Sequence, residues 1–166
     1  VPEAFEPGGS KVTVPIGEYN YQSGQILYAM GTQHTLSGWL YYQHGSFYGG
    51  TKRTIGYAIG RFEASSRLAL EASLSANWGT LPGGDFSSTV LTTRTTFAFT
   101  PRMFTSALVQ YNSSAHTLNS NIRLRWEYQP GSELFVVYSD GRDTEVGRPR
   151  LETRSLIVKI TRLFRL

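Results

Sequence analysis

The sequence predicts an all-β protein: an antiparallel up-and-down transmembrane β-barrel of about eight strands. Three observations predict it. Apolar and polar residues alternate with a period of two, tight turns alternate with longer joins, and the polar strand positions carry mostly small side chains. The 166 residues suffice for one domain. Only 17% of them are charged, below the ~25% of soluble domains, whereas 13% are aromatic.

The alternation is clearest in two stretches, 66–78 and 120–129. In the second, every even position from Ile122 to Tyr128 is apolar or aromatic and every odd position is polar. The same period recurs in 53–62, 87–99, 103–111 and 156–166, and none of these windows keeps the i, i+3, i+4 stripe of an amphipathic helix. In 53–62 the pattern predicts Ile59 on the apolar face and Gly60 on the polar face.

Two kinds of join separate these stretches. Tight turns, marked by Pro, Gly or Ser, are predicted at 62–65, 100–102 and 129–132. Longer joins are predicted at 45–52, 79–85, 112–118 and 140–152. Transmembrane barrels have short turns at one rim and long loops at the other. Residues 33–166 are therefore predicted to form the barrel, and residues 1–32 an N-terminal strap, plug or extra strands, with 24–31 a candidate strand.

Alternation alone allows the apolar face to point inward, as in a soluble barrel, or outward into lipid. The polar positions are mostly Ser, Thr, Gly, Ala and Asn, which suit the restricted interior of a narrow barrel. A solvent-exposed sheet face would carry more charges. Aromatic residues near strand ends suit the two lipid–water interfaces; they include Trp39, Tyr41, Trp78, Phe97, Phe99, Trp126, Tyr128, Tyr138 and Phe164. We therefore predict lipid outside, and the alternative is a lipocalin-like soluble barrel that binds a small apolar ligand.

The candidate functional residues are the charges at polar strand positions, which would face the lumen: Glu71, Arg94, Arg123, Arg125, Glu127 and Lys159. Buried charges must be paired, so the preferred interpretation is an interior network of salt bridges and hydrogen bonds. The alternative is a pore lining that favours anions, because Arg and Lys outnumber Glu in this set.

The sequence lacks the motifs of an enzyme, a metal protein or a nucleic-acid-binding protein. It contains no Cys, which excludes thiolate metal sites and cysteine nucleophiles. The three His residues, His34, His44 and His116, have no spacing that pairs them with an Asp or a Ser in a recognisable motif. The net charge of +4 comes from basic residues scattered along the strands. We expect no catalysis, no cofactor, no metal and no nucleic-acid partner.

Three runs resemble a bacterial outer-membrane family of unknown function: PRMFTSALVQYNS from Pro101, NIRLRWEYQPGSELFVVYSDGRDT from Asn121, and VKITRLFRL at the end. The earlier stretches FEPGG, VTVPIGEY and GSFYGGTKR also fit that family. Its members join a family-9-like carbohydrate-binding β-sandwich to a C-terminal β-barrel. The resemblance implies an outer-membrane location, lipid and other membrane proteins as partners, and a chain that is the C-terminal part or a subunit of a larger assembly. The function expected is a structural anchor or a pore and transport element.

Overall fold

The structure, a computed structural model, describes residues 13–145 and 147–164. These residues form one antiparallel sheet in which each strand pairs with its neighbours in the chain. The nine strands are β1 (Ser23–Met30), β2 (Leu36–Phe47), β3 (Gly50–Ser65), β4 (Leu68–Leu81), β5 (Gly84–Thr100), β6 (Met103–Asn112), β7 (Thr117–Gln129), β8 (Ser132–Asp143) and β9 (Arg150–Thr161). The predicted all-β, up-and-down class is confirmed. None of the described residues lies in a helix long and apolar enough to cross a membrane.

Eight strands, β2 to β9, follow Gln33, and β1 precedes them in the place of the candidate strand at 24–31. β1 pairs with β2 along its whole length, from Ser23 opposite Gly45 to Met30 opposite Gly38. The part of the predicted strap or plug in residues 1–12 lies outside the described residues. Within the described part β1 and β9 do not pair with each other, so the sheet is open.

The joins are shorter than the sequence predicts. The joins lie at the two ends of the sheet. The end that we call the upper end has the joins 48–49, 82–83, 113–116 and 144–149. The opposite, lower end has the joins 31–35, 66–67, 101–102 and 130–131. The predicted long joins at 45–52 and 79–85 are wrong, because pairing continues until Phe47 meets Gly50 and Leu81 meets Gly84. Tyr48 and Gly49 have positive φ angles of 46° and 78°, as a two-residue type I′ hairpin requires.

A β-bulge in β3 reverses the alternation in the second half of that strand. The pairing of β3 with β4 shifts between Tyr57 and Gly60, and Ile59, inside the shift, has a positive φ of 53°. Beyond the bulge Arg61 lies opposite Glu71. Gly60 therefore falls on the apolar side, and its predicted polar position is wrong. A period of two cannot reveal one inserted residue.

The register divides the sheet into two faces, because residues that pair across antiparallel strands point to the same side. The polar face contains the row Arg61, Glu71, Arg94, Leu108, Asn121 and Ser139. The apolar face contains rows such as Met103, Trp126, Leu134 and Ile160.

Hydrophobic burial is confined to one small cluster. Val14, Leu81 and Phe86 are the buried hydrophobic residues of the described part of the chain, and they lie at the upper end. Large side chains on the apolar face are instead exposed: the exposed fraction is 46% for Ile122 and 69% for Ile160. The apolar face therefore packs against no protein core within the described residues.

Gly56, in the first half of β3, leaves room for an aromatic ring on the polar face. It lies opposite Tyr41, and a Cβ at Gly56 would overlap the Tyr41 ring. A ring that covers a glycine in a neighbouring strand helps to fix the register of the pair. The glycine is required here by this close approach.

We expect Gly56→Val to lower the free energy of unfolding by about 2 kcal/mol, because the Tyr41 ring must leave its position. Gly24→Val is the matched control: Gly24 lies on the apolar face of β1, and no atom lies within 4 Å of its Cβ position. Urea titration in detergent micelles, followed by tryptophan fluorescence, measures both variants. Equal midpoints would contradict the packing role of Gly56.

Candidate functional site

The register places all six charges of the predicted network on the polar face of the sheet. They are Glu71 in β4, Arg94 in β5, Arg123, Arg125 and Glu127 in β7, and Lys159 in β9. The structure does not join them into a single network. They belong to two clusters, one around Glu71 and one near the lower end of β7, β8 and β9.

The first cluster centres on Glu71, which lies between two arginines. Its Oε2 is 3.6 Å from Nη1 of Arg94, and its Oε1 is 4.0 Å from Nη1 of Arg61. Arg61 also pairs with Glu63, with Nη2 at 2.8 Å from Oε1. These side chains are about half exposed, so the pairs are screened by solvent and contribute little to stability. Arg61, Glu71 and Arg94 line a cavity of about 640 Å³ together with Thr92.

The second cluster combines charges with aromatic rings. Arg125 donates a hydrogen bond to Glu133 and lies over the Phe104 ring, with its Cζ atom 6.0 Å from the ring centroid. Arg123 lies over the Phe135 ring at 5.3 Å. Contact between a guanidinium and an aromatic face stabilises the cation without a carboxylate. Arginine side chains on this part of the polar face are thus held partly by rings.

Carboxylates of the two clusters are engaged within the protein, whereas two of the cations form no salt bridge. Glu127 Oε1 accepts a hydrogen bond from the backbone N–H of Gly131 at 3.0 Å, and Glu71 and Glu133 pair with arginines. Within the described residues Arg123 and Lys159 form no salt bridge. The polar face therefore carries an excess of positive charge that can attract anions.

Sequence reasoning missed Arg61, Glu63 and Glu133 as members of these clusters. For Arg61 and Glu63 the bulge in β3 hides the correct face. Glu133 lies beside the predicted turn at 129–132 and was not assigned to a strand face. Counting from the turn would place Glu133 opposite Tyr128, on the apolar side, because the count misses the register shift between Glu127 and Gln129 that sets Glu133 opposite Glu127.

Residues 13–22 add an aromatic cluster at the upper end of the polar face. Tyr19 and Tyr21 contact the Tyr48 ring edge-on at 5.2 and 5.4 Å between centroids, and the Phe47 and Phe86 rings lie 5.6 Å apart. Desolvation, followed by a hydrogen bond with Tyr48, raises the pKa of Tyr21 to about 12, so its phenol stays neutral at physiological pH. Aromatic side chains therefore cover part of the polar face at this end.

The predicted interfacial aromatics fall on both faces. Trp78, Phe97, Trp126 and Tyr138 lie on the apolar face by register, with Phe99 in ring contact with Phe97 and Tyr128 with Trp126. Trp39 and Tyr41 lie on the polar face, and Leu40 and Tyr42, which alternate with them along β2, lie on the apolar face. Phe164 follows β9, is 73% exposed and lies under the Arg162 guanidinium.

Charged residues on the apolar face are confined to its upper end. The register places Arg53, Asp85, Asp140, Arg142 and Arg154 there. From these residues to the lower end, the strand positions on the apolar face are uncharged, as in the series Leu134, Val136 and Tyr138 of β8. The sequence analysis assigned 140–152 to a loop and so did not identify this boundary.

The described residues contain no group of three His, Asp or Glu side chains that could hold a metal ion. His116 lies in the 113–116 join, where its carbonyl accepts a hydrogen bond from Thr144 N–H at 2.7 Å, and Ser114 Oγ bonds to Ser88 Oγ at 2.9 Å. No family model, no curated protein and no solved structure matches this chain.

Proposed function

We propose that this chain forms part of the wall of a bacterial outer-membrane β-barrel and acts, without enzymatic activity, as a structural anchor or a pore element. The observation that carries the proposal is the exposure of the apolar face of the sheet. Its large apolar side chains are exposed, including Leu156 at 65% and Ile160 at 69%. Exposed apolar area of this extent is unfavourable in water but suits contact with hydrocarbon.

The dimensions of the strands support the same proposal. A tilted β-strand needs about 9–11 residues to cross a bilayer, and each strand from β2 to β9 has ten residues or more. The apolar face is uncharged below the upper-end residues Arg53, Asp140 and Arg154, which gives it the limited band expected of a lipid-facing wall.

The soluble, lipocalin-like alternative needs the apolar face to line an enclosed cavity. Ile122 and Trp126, which would line it, are 46% and 43% exposed. The cavity of about 640 Å³ lies against Arg61, Glu71 and Arg94 instead. These observations support the membrane proposal over the soluble one.

The open edges of the sheet support a role within a larger barrel. Unpaired backbone N–H and C=O groups in hydrocarbon cost several kcal/mol each, so an open sheet edge is not tolerated in lipid. Nine up-and-down strands are also an odd number, whereas bacterial single-chain barrels have even numbers. We therefore propose that further strands, from a longer chain or from another subunit, pair with β1 and β9, and that lipid surrounds the assembly.

A lumen enclosed by the polar face would favour anions. Arg123 and Lys159 contribute positive charge and form no salt bridge within the described residues, whereas Glu71 and Glu133 are paired with arginines. In a narrow pore such fixed charges set ion selectivity. The apolar cluster around Phe86 lies at the upper mouth of this proposed lumen.

Migration on a detergent gel with and without boiling tests the membrane proposal. We expect the protein, folded in detergent together with the strands that complete its barrel, to migrate unboiled at a different apparent mass from the boiled sample, because a closed hydrogen-bonded barrel resists detergent at room temperature. A chain that dissolves as a folded monomer without detergent would overturn the proposal.

Single-tryptophan variants test which face meets the lipid. A variant that keeps only Trp126, on the apolar face, is compared with one that keeps only Trp39, on the polar side. Brominated lipid in vesicles should quench the fluorescence of Trp126 more strongly than that of Trp39, because bromine quenches through close contact within the bilayer. Equal quenching, or quenching of Trp39 alone, would contradict the assignment of the faces.

A further inference from the structure

A compact ion cluster lies at the upper end of the apolar face, on β8 and β9. Asp140 is its centre and is only 5% exposed. Its Oδ1 accepts a hydrogen bond from Nε of Arg142 at 2.5 Å. Its Oδ2 accepts from Nε and Nη2 of Arg154 at 3.2 and 3.0 Å and from the Tyr138 hydroxyl at 3.3 Å. The carboxylate therefore accepts four hydrogen bonds from the protein itself.

The two arginines of the cluster retain donors that point to no described acceptor. The side chain of Arg142 is 40% exposed and that of Arg154 is 51% exposed. Arg142 donates to Asp140 only through Nε, and Arg154 donates to it through Nε and Nη2. A guanidinium carries five N–H donors in a planar fork that matches phosphate oxygens. The cluster has a net charge of +1 and keeps its remaining donors available for an anion.

The position of the cluster restricts the kind of anion that fits. Below it on the same face lie uncharged side chains, Val136 and Tyr138 in β8 and Leu156 and Val158 in β9. A ligand that follows this surface has an apolar body against these side chains and a negative group at their upper end. Anionic phospholipids have this arrangement, since the phosphate lies at the boundary of the hydrocarbon.

We propose that Arg142 and Arg154, held in place by Asp140, bind the phosphate of an anionic lipid headgroup in the leaflet at the upper end of the barrel. This inference rests on the proposed membrane location and adds a ligand to it. Asp140 fixes the two guanidinium groups side by side and cancels one of their charges. The same protein surface then needs only one further anion, the lipid phosphate, for neutrality.

The test measures lipid preference in phosphatidylcholine vesicles that contain spin-labelled phosphatidic acid or spin-labelled phosphatidylcholine. Electron paramagnetic resonance gives the ratio of the two association constants. We expect the natural sequence to prefer phosphatidic acid by about fivefold, a factor of the order that one basic residue contributes at an anionic surface. The variant D140N/R142Q/R154Q removes the cluster without leaving a buried charge and should bring the ratio close to equality.

Arg123→Gln is the matched control, because it lowers the net charge by one, as the triple variant does, but lies on the polar face. It should keep the preference of the natural sequence. If the triple variant does not fold, Arg142→Gln alone carries the test, since Arg154 still pairs with Asp140. The inference is overturned if the folded cluster variant keeps the full preference or if Arg123→Gln loses as much. Loss of heat-dependent gel migration by the natural sequence would instead count against the membrane location.

Discussion

Thr93→Arg is expected to lower the free energy of unfolding in a lipid bilayer by about 3 kcal/mol, because it places a cation at mid-height on the side of the sheet that we propose to face lipid. Thr93 lies on the apolar face between Ala72 and Val109. Its neighbour Thr92 lies on the polar face, opposite Ser73, and lines the cavity. Thr92→Arg adds the same charge in the same strand, and it should change the free energy much less because the cavity accommodates a polar side chain.

A third variant makes this prediction specific to a bilayer. Ser87 lies on the apolar face opposite Trp78, near the upper end. Ser87→Arg should cost less than about 1 kcal/mol, because a guanidinium near the interface reaches the headgroups and water. Guanidinium chloride titration in phosphatidylcholine vesicles, followed by tryptophan fluorescence, gives the three values. Equal costs at Thr93 and Ser87 would contradict a lipid-facing wall, since only a bilayer makes the cost depend on depth.

The faces of the sheet could be predicted from the sequence because strand geometry is periodic. Within β7 the odd positions Arg123, Arg125 and Glu127 must share one side, and antiparallel pairing carries that side across to the neighbouring strands. Glu71 and Arg94 were predicted independently for the polar side and lie directly opposite each other. Alternation in each strand and pairing between strands therefore lead to the same assignment.

Features that break the period could not be predicted in this way. The bulge at Ile59 adds a residue to β3, so Arg61 changes sides and joins Glu71. The charges at Asp140 and Arg142 resemble a polar loop in the sequence, although backbone pairing continues through both. Polarity alone cannot distinguish a loop from a strand that continues beyond the uncharged part of the apolar face. Nor does the period indicate how the edges of β1 and β9, which do not pair with each other in the described residues, are completed.

Phe86→Ala is expected to lower the free energy of unfolding by about 3–4 kcal/mol, the usual cost of truncating a buried phenylalanine. Phe86 is 8% exposed and belongs to the buried hydrophobic cluster with Val14 and Leu81. Its ring also covers Gly79, where a Cβ would overlap it. Removing the ring leaves a cavity between the strands and residues 13–22, on the face that we propose to point away from lipid.

Phe99→Ala is the control, because Phe99 is 46% exposed at the lower end and has less protein packing to lose. Denaturant titration in micelles should show a much smaller loss for this variant. Hydrogen exchange should also become faster in residues 13–22 of Phe86→Ala, because Val14 loses part of its packing, and should not change there in Phe99→Ala. Equal losses for the two variants would mean that the apolar face is packed as tightly as the Phe86 cluster, which contradicts contact with fluid hydrocarbon. The pair therefore compares dry protein packing with lipid contact in one chain.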